Sequence, residues 1–229
     1  MNTPTKITLS RIIMIVVMLL TLFVFAFFGA NLNIPEIPLG SGFFGEVKLS
    51  PVYLEMTVIF LIAAFTDFLD GYLARKNNQV TDLGKFLDPI ADKLLIDGMM
   101  IFLLVPQAYA PSHSRNTLTI TMLAFCVITM VARDLIVDVL RLIAVTKKQV
   151  IAANIFGKMK TVFQMTAIPF LLLNNFPFAY LDGFLPEPLR ISNILFYIAT
   201  IMSVVSGIIY VIQNLEVLKE DTEDEKSSQ

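Results

Sequence analysis

Apolar residues gather in six long runs along the chain, at about 12–30, 52–74, 89–105, 118–140, 161–173 and 191–215. A helix needs about 20 such residues to cross the hydrocarbon core of a bilayer, so each run predicts a spanning helix. The fifth is the shortest, cut by Pro169 and by the pair Asn174 and Asn175. Two kinds of connection lie between the runs. Segments 31–51, 106–117 and 174–190 are rich in Pro, Gly, Asn and Ser and carry three basic residues, Lys48, Arg115 and Arg190. The opposite set carries thirteen: two at the N-terminus, four in 75–93, five in 141–160 and two in the tail. Excess Lys and Arg mark the cytoplasmic side, which places both termini there. The expected fold is an all-α integral membrane domain of six transmembrane helices over residues 1–218. The acidic, polar segment 219–229 reads as a disordered tail.

Composition agrees with this pattern. Of 229 residues, 56% are hydrophobic and 16% charged, against roughly 25% charged in an ordinary soluble domain. With a net charge of −2, no nucleic-acid partner is expected; the partner is the lipid bilayer. The single cysteine, Cys126, lies in an apolar run and reads as a buried thiol. His113 sits in the loop sequence YAPSHSRN and takes no role. Lys6 and Arg11 precede a run too long for a signal-peptide core, with no small-residue cleavage site after it. A retained first span is therefore expected.

The remaining charge is concentrated in one place. Residues 67–93 read DFLDGYLARKNNQVTDLGKFLDPIADK, five aspartates where the second run ends and the third begins. On helices, Asp67 and Asp70 are three apart and Asp88 and Asp92 four apart, so each pair shares a face. A turn through 76–87 brings the faces together and leaves Asp82 as a solvated loop residue. The product is a four-carboxylate pocket at the cytoplasmic boundary, costly unless cations fill it. Hard oxygen ligands suit Mg²⁺ or Mn²⁺, and four carboxylates can hold two such ions. Gly71 and Ala74 let a bulky group approach the backbone, and Arg75 offers a guanidinium fork to phosphate. An aspartate–arginine pair at a helix end is commonly no more than a solvated boundary. Here, however, D-x2-D-G-x2-A-R-x8-G-x3-D-x3-D is complete from Asp67 through Gly84 to Asp92.

On those residues the chain resembles the CDP-alcohol phosphotransferase family, whose signature this is. The resemblance implies that Asp67, Asp70, Asp88 and Asp92 ligate two divalent ions and that Asp92 is also the catalytic general base. It implies further that Gly71, Ala74, Arg75 and Gly84 line the CDP site, with Thr81 as a hydroxyl contact. The opening TPTKITLSRI is similar to the family's P-N-x2-T-x2-R, with Pro4, Thr8 and Arg11 on matching positions and Thr5 in place of asparagine. That match makes Thr8 a further candidate nucleotide contact; a capped interfacial start to the first helix is the alternative.

The acceptor alcohol has to be read elsewhere. Arg133 falls inside the fourth run, in VARDLIVDVLRLIA, where a cation without a role is costly. Pairing with Asp134, Asp138 or Asp97 is one reading. The other joins it to Arg141, eight residues on and about 80° round the helix, and to Lys158 of FGKMKTVFQ, as a receptor for a second anionic group. These segments resemble the phosphatidylglycerophosphate synthase branch of the family, with Asp134 in place of glutamate. The similarity implies CDP-diacylglycerol as donor and glycerol 3-phosphate as acceptor, its phosphate held by Arg133, Arg141 and Lys158. It also carries an expectation of a homodimer. Gly207, Ser203 and Ser206 in the last run suit close helix packing. The rivals are the same chemistry with inositol phosphate, another alcohol or phosphatidylglycerol as acceptor, and a divalent-cation transporter.

Overall fold

The computed structural model describes residues 3–28, 34–42, 45–77, 82–105, 115–147 and 155–215. Among these, the chain is mostly helical. In order it forms α1 (Thr3–Phe28), a hairpin of β1 (Ile37–Gly42) and β2 (Gly45–Leu49), α2 (Pro51–Asn77), α3 (Asp82–Phe102), α4 (Thr117–Thr146), α5 (Ile155–Leu172) and α6 (Ile191–Gln213). Short 3₁₀ turns at Phe178–Tyr180 and Glu187–Leu189 join the last two helices.

Side chains recurring every third or fourth position close the bundle. Ile15, Met18 and Leu22 of α1 meet Met56, Phe60 and Ala63 of α2 and Ala91, Leu95 and Met99 of α3 in one buried core. That core continues through Leu123 and Met130 of α4, Ala167, Ile168 and Leu171 of α5, and Phe196 and Ala199 of α6. The outward faces are apolar as well: Ile13, Leu20, Phe23 and Phe27 on α1, and Leu118, Phe125, Ile128 and Leu142 on α4, are all exposed. Such faces suit lipid rather than water. By length and composition α4 and α6 qualify as membrane-crossing helices.

Three expectations need correction. The fold is not purely α, because segment 31–51 contains the antiparallel hairpin, whose Ile37 pairs with Leu49 and Ser41 with Glu46. Helix α3 begins at Asp82, seven residues before the third apolar run, so Asp82 opens the helix rather than sitting in a loop. Pro169 lies inside α5 (Ile155–Leu172) without ending it.

At the end of the bundle remote from the aspartates, polar side chains close the loops. The Asn116 side chain caps α4 by accepting from Thr119 N at 2.7 Å. Arg115 Nη2 donates to the Leu171 carbonyl at 2.9 Å, tying the start of α4 to the end of α5. Buried Asp182 accepts from Asn175 Nδ2 at 2.6 Å and from Ile191 N at 2.8 Å.

Candidate active site

Helices α2 and α3 bring Asp67, Asp88 and Asp92 round a single cation, the guanidinium of Arg11 on α1. Arg11 is wholly buried. Its Nη1 donates to Asp67 Oδ1 and, at 2.8 Å, to Asp92 Oδ1, while Nη2 lies 3.6 Å from Asp88 Oδ1. The carboxylates themselves are about half exposed, so they face both this cation and water. Carboxylates drawn this close repel one another unless positive charge stands between them. Here the Arg11 guanidinium supplies that charge. Among the described residues, no three His, Cys, Asp or Glu side chains are grouped so as to hold a metal ion. The side chains of Thr8, Asp70, Gly71, Ala74, Arg75 and Gly84, and all of Thr81, lie outside the described set.

Beside Asp92 opens a cavity of about 370 Å³ between α3, α4, α5 and α6. Asp92, Arg133, Arg141 and Lys158 all line it. The structure thus joins the expected base to the three expected acceptor cations through one continuous space, across more than 60 residues of sequence.

Those cations are not equivalent. Arg133 is held on every side: Nη1 donates to Asp134 Oδ1 at 2.9 Å, Nη2 to Ser206 Oγ at 2.6 Å and Nε to the Ser203 carbonyl at 3.1 Å. Of the partners open to Arg133 in the sequence, the structure selects Asp134. Arg141 donates through Nε to the Tyr210 hydroxyl at 3.2 Å and lies over that ring at 5.6 Å, which leaves the outer end of its fork toward the cavity. Lys158 is exposed and makes no ion pair among the described residues.

Sequence reasoning missed several parts of this site. Lys160, assigned no specific contact, is buried and donates to Asp134 Oδ2 at 2.5 Å, so Arg133 and Lys160 share one carboxylate. Lys93 pairs with Asp138. Tyr210, from the last apolar run, positions Arg141. The small residues of α6 serve a narrower purpose than general packing. A Cβ at Gly207 would stand 2.7 Å from Arg133 Cγ, so only glycine lets the arginine stem lie against α6. Arg11 matches the arginine of the family's opening pattern, and the structure adds its partners, Asp67, Asp88 and Asp92.

Asp67, Asp88 and Asp92 thus gather round one positive charge, and Asp92 also borders a cavity lined by Arg133, Arg141 and Lys158. Comparison with known proteins names the class. The sequence model of the CDP-alcohol phosphatidyltransferases matches residues 1–205, and the chain belongs to that family. The family is generally dependent on divalent metals. The chain is 35% identical over 218 residues to the CDP-diacylglycerol–glycerol-3-phosphate 3-phosphatidyltransferase of Bacillus subtilis strain 168, covering 95% of this chain and 97% of that one. It is 35% identical over 173 residues to the Escherichia coli K12 protein of the same name, covering 75% and 76%. The Mycoplasma genitalium protein of that name is 37% identical over 173 residues, covering 70% and 64%.

Proposed function

We propose that the protein transfers the phosphatidyl group of CDP-diacylglycerol to the primary hydroxyl of glycerol 3-phosphate, giving phosphatidylglycerol phosphate and CMP. The observation that carries this reading is the cavity joining Asp92 to Arg141 and Lys158. Its lining combines a carboxylate able to accept a proton with cationic groups able to hold an anion, the two requirements of an acceptor that is both an alcohol and a phosphate. The names of the relatives support the same choice of substrates.

Asp92 takes the proton of the acceptor hydroxyl as its oxygen attacks the lipid-linked phosphorus. The bond from that phosphorus to the bridging oxygen breaks, and CMP leaves with the electron pair. Arg141 and Lys158 hold the acceptor phosphate, and Arg133, fixed by Asp134, Ser203 and Ser206, sets the electrostatic wall behind it. Arg75, Gly71, Ala74, Gly84, Thr81 and Thr8 are proposed to receive the CDP part of the donor. Mg²⁺ or Mn²⁺, as two ions on Asp67, Asp70, Asp88 and Asp92, would supply neutralisation of the diphosphate charge. In the absence of such ions the Arg11 guanidinium neutralises part of the charge of Asp67, Asp88 and Asp92.

Six crossings with both termini in the cytoplasm complete the reading. The site then lies at the cytoplasmic boundary, where the donor's acyl chains stay in lipid while its headgroup meets water-soluble glycerol 3-phosphate. Purified protein supplied with CDP-diacylglycerol and Mg²⁺ or Mn²⁺ is expected to release CMP only when glycerol 3-phosphate is added. CMP release driven equally by inositol phosphate, or none with glycerol 3-phosphate, refutes the assignment.

A further inference from the structure

The cavity contains one carboxyl group that the proposed transfer does not use. Asp97 lies on α3, one turn beyond Lys93 and about 7.5 Å further along the helix than Asp92 at 1.5 Å per residue. Its neighbours in the cavity are already engaged. Both oxygens of Asp134 are taken, by Arg133 and Lys160, and Asp138 is taken by Lys93. Asp97 makes no hydrogen bond or ion pair among the described residues, although it is only partly exposed and lines the same space as Arg141 and Lys158.

Lys93 and Lys160 attract Asp97 from nearby, but each is bonded to another aspartate, so the partly buried carboxyl group still lacks a hydrogen-bond donor, which a ligand can supply. What it can receive is restricted. An acceptor phosphate is repelled by it and is drawn to Arg141 and Lys158, while the reacting hydroxyl belongs at Asp92. A second, non-reacting hydroxyl has no such conflict, since its O–H donates to carboxylate oxygen with the strength of a charge-assisted bond.

We infer that Asp97 reads the non-reacting hydroxyl of the acceptor, so that the cavity selects a polyol phosphate over a simple hydroxyalkyl phosphate. This rests on the proposed transfer to glycerol 3-phosphate and adds the residue that recognises the acceptor's secondary hydroxyl. A site built to bond a hydroxyl rejects the analogue lacking it, because the carboxyl is then left unpaired in the cavity.

The test compares glycerol 3-phosphate with 3-hydroxypropyl phosphate, which keeps the primary hydroxyl and the phosphate but lacks the secondary hydroxyl. The unmodified protein is expected to prefer glycerol 3-phosphate in kcat/KM by at least about tenfold. Asp97→Ala is expected to bring that ratio close to one, chiefly by raising KM for glycerol 3-phosphate, and to leave 3-hydroxypropyl phosphate little changed. Asp97→Asn, whose amide oxygen still accepts, is expected to keep part of the preference. Equal use of the two acceptors by the unmodified protein overturns the inference without recourse to a variant. So does an Asp97→Ala protein that keeps its preference or loses both acceptors alike. CMP release that depends on neither acceptor defeats the proposed transfer itself and is distinguishable from those results.

Discussion

Replacing Gly207 by alanine places one methyl group where α6 meets Arg133. The added Cβ falls 2.7 Å from Arg133 Cγ, 3.3 Å from Nε and 3.6 Å from Cδ. Ordinary carbon–carbon contact begins at about 3.5–4.0 Å, so the stem of the arginine has to retreat by about 1 Å. The stem lies near the α4 backbone and cannot swing aside like the tip of a long side chain. Retreat breaks the 3.1 Å bond from Nε to the Ser203 carbonyl and strains the 2.6 Å bond to Ser206 Oγ. Overpacking of this kind costs about 1–3 kcal/mol, while alanine in place of glycine in a helix returns about 0.5–1 kcal/mol. Gly207→Ala is therefore expected to lower the melting temperature in detergent. It is also expected to reduce kcat/KM for glycerol 3-phosphate tenfold or more, since a 1 Å misplacement near an acceptor can cost about 100-fold. The decisive comparison repeats the substitution in an Arg133→Ala background, where the clash is gone and the alanine becomes neutral or stabilising. An equal loss in both backgrounds shows that the contact with Arg133 is not the reason glycine stands at 207.

Two further substitutions separate the roles along the cavity. Asp92→Asn removes the proton acceptor and is expected to abolish turnover, with a melting temperature near that of the unmodified protein and binding of CDP-diacylglycerol largely kept; turnover within tenfold of normal refutes the role of Asp92. Arg141→Ala is expected to raise KM for glycerol 3-phosphate with a smaller effect on kcat, and Tyr210→Phe, which removes only the 3.2 Å partner of Arg141, to do the same more weakly. An unchanged KM in Arg141→Ala places the acceptor phosphate elsewhere.

The aspartate motif was legible because its information is local: side chains three and four apart on one helix share a face whatever the rest of the chain does. Its enclosure was not, because the cation among the carboxylates comes from α1, more than 50 residues earlier. In sequence Arg11 stands on the arginine of the opening pattern, but nothing local names its partners; its burial against Asp67 and Asp92 does. Arg133 shows an intermediate case. Its cost inside an apolar run pointed to a partner, and three aspartates lay within reach of a guess. The choice of Asp134 depends on Lys160 arriving from α5 to take the second oxygen. The hairpin was hidden for a different reason. Its strands, IPLGSG and GEVKL, carry Pro38 and three glycines, a composition of turns rather than of strands, and their pairing is a matter of tertiary contact.

Arg11 also bears on how the bundle assembles. Within a bilayer, apolar surfaces gain nothing by leaving lipid for one another, so helices need packing or polar contacts to find their partners. Helix α1, which precedes the other two in the chain, carries a charge that is poorly tolerated alone, and α2 and α3 carry carboxylates with the opposite burden. Docking of α2 and α3 onto α1 relieves both at once, through Asp67 and Asp92 on the same guanidinium. Arg11 thus ties α1, α2 and α3 together by charge as well as by packing.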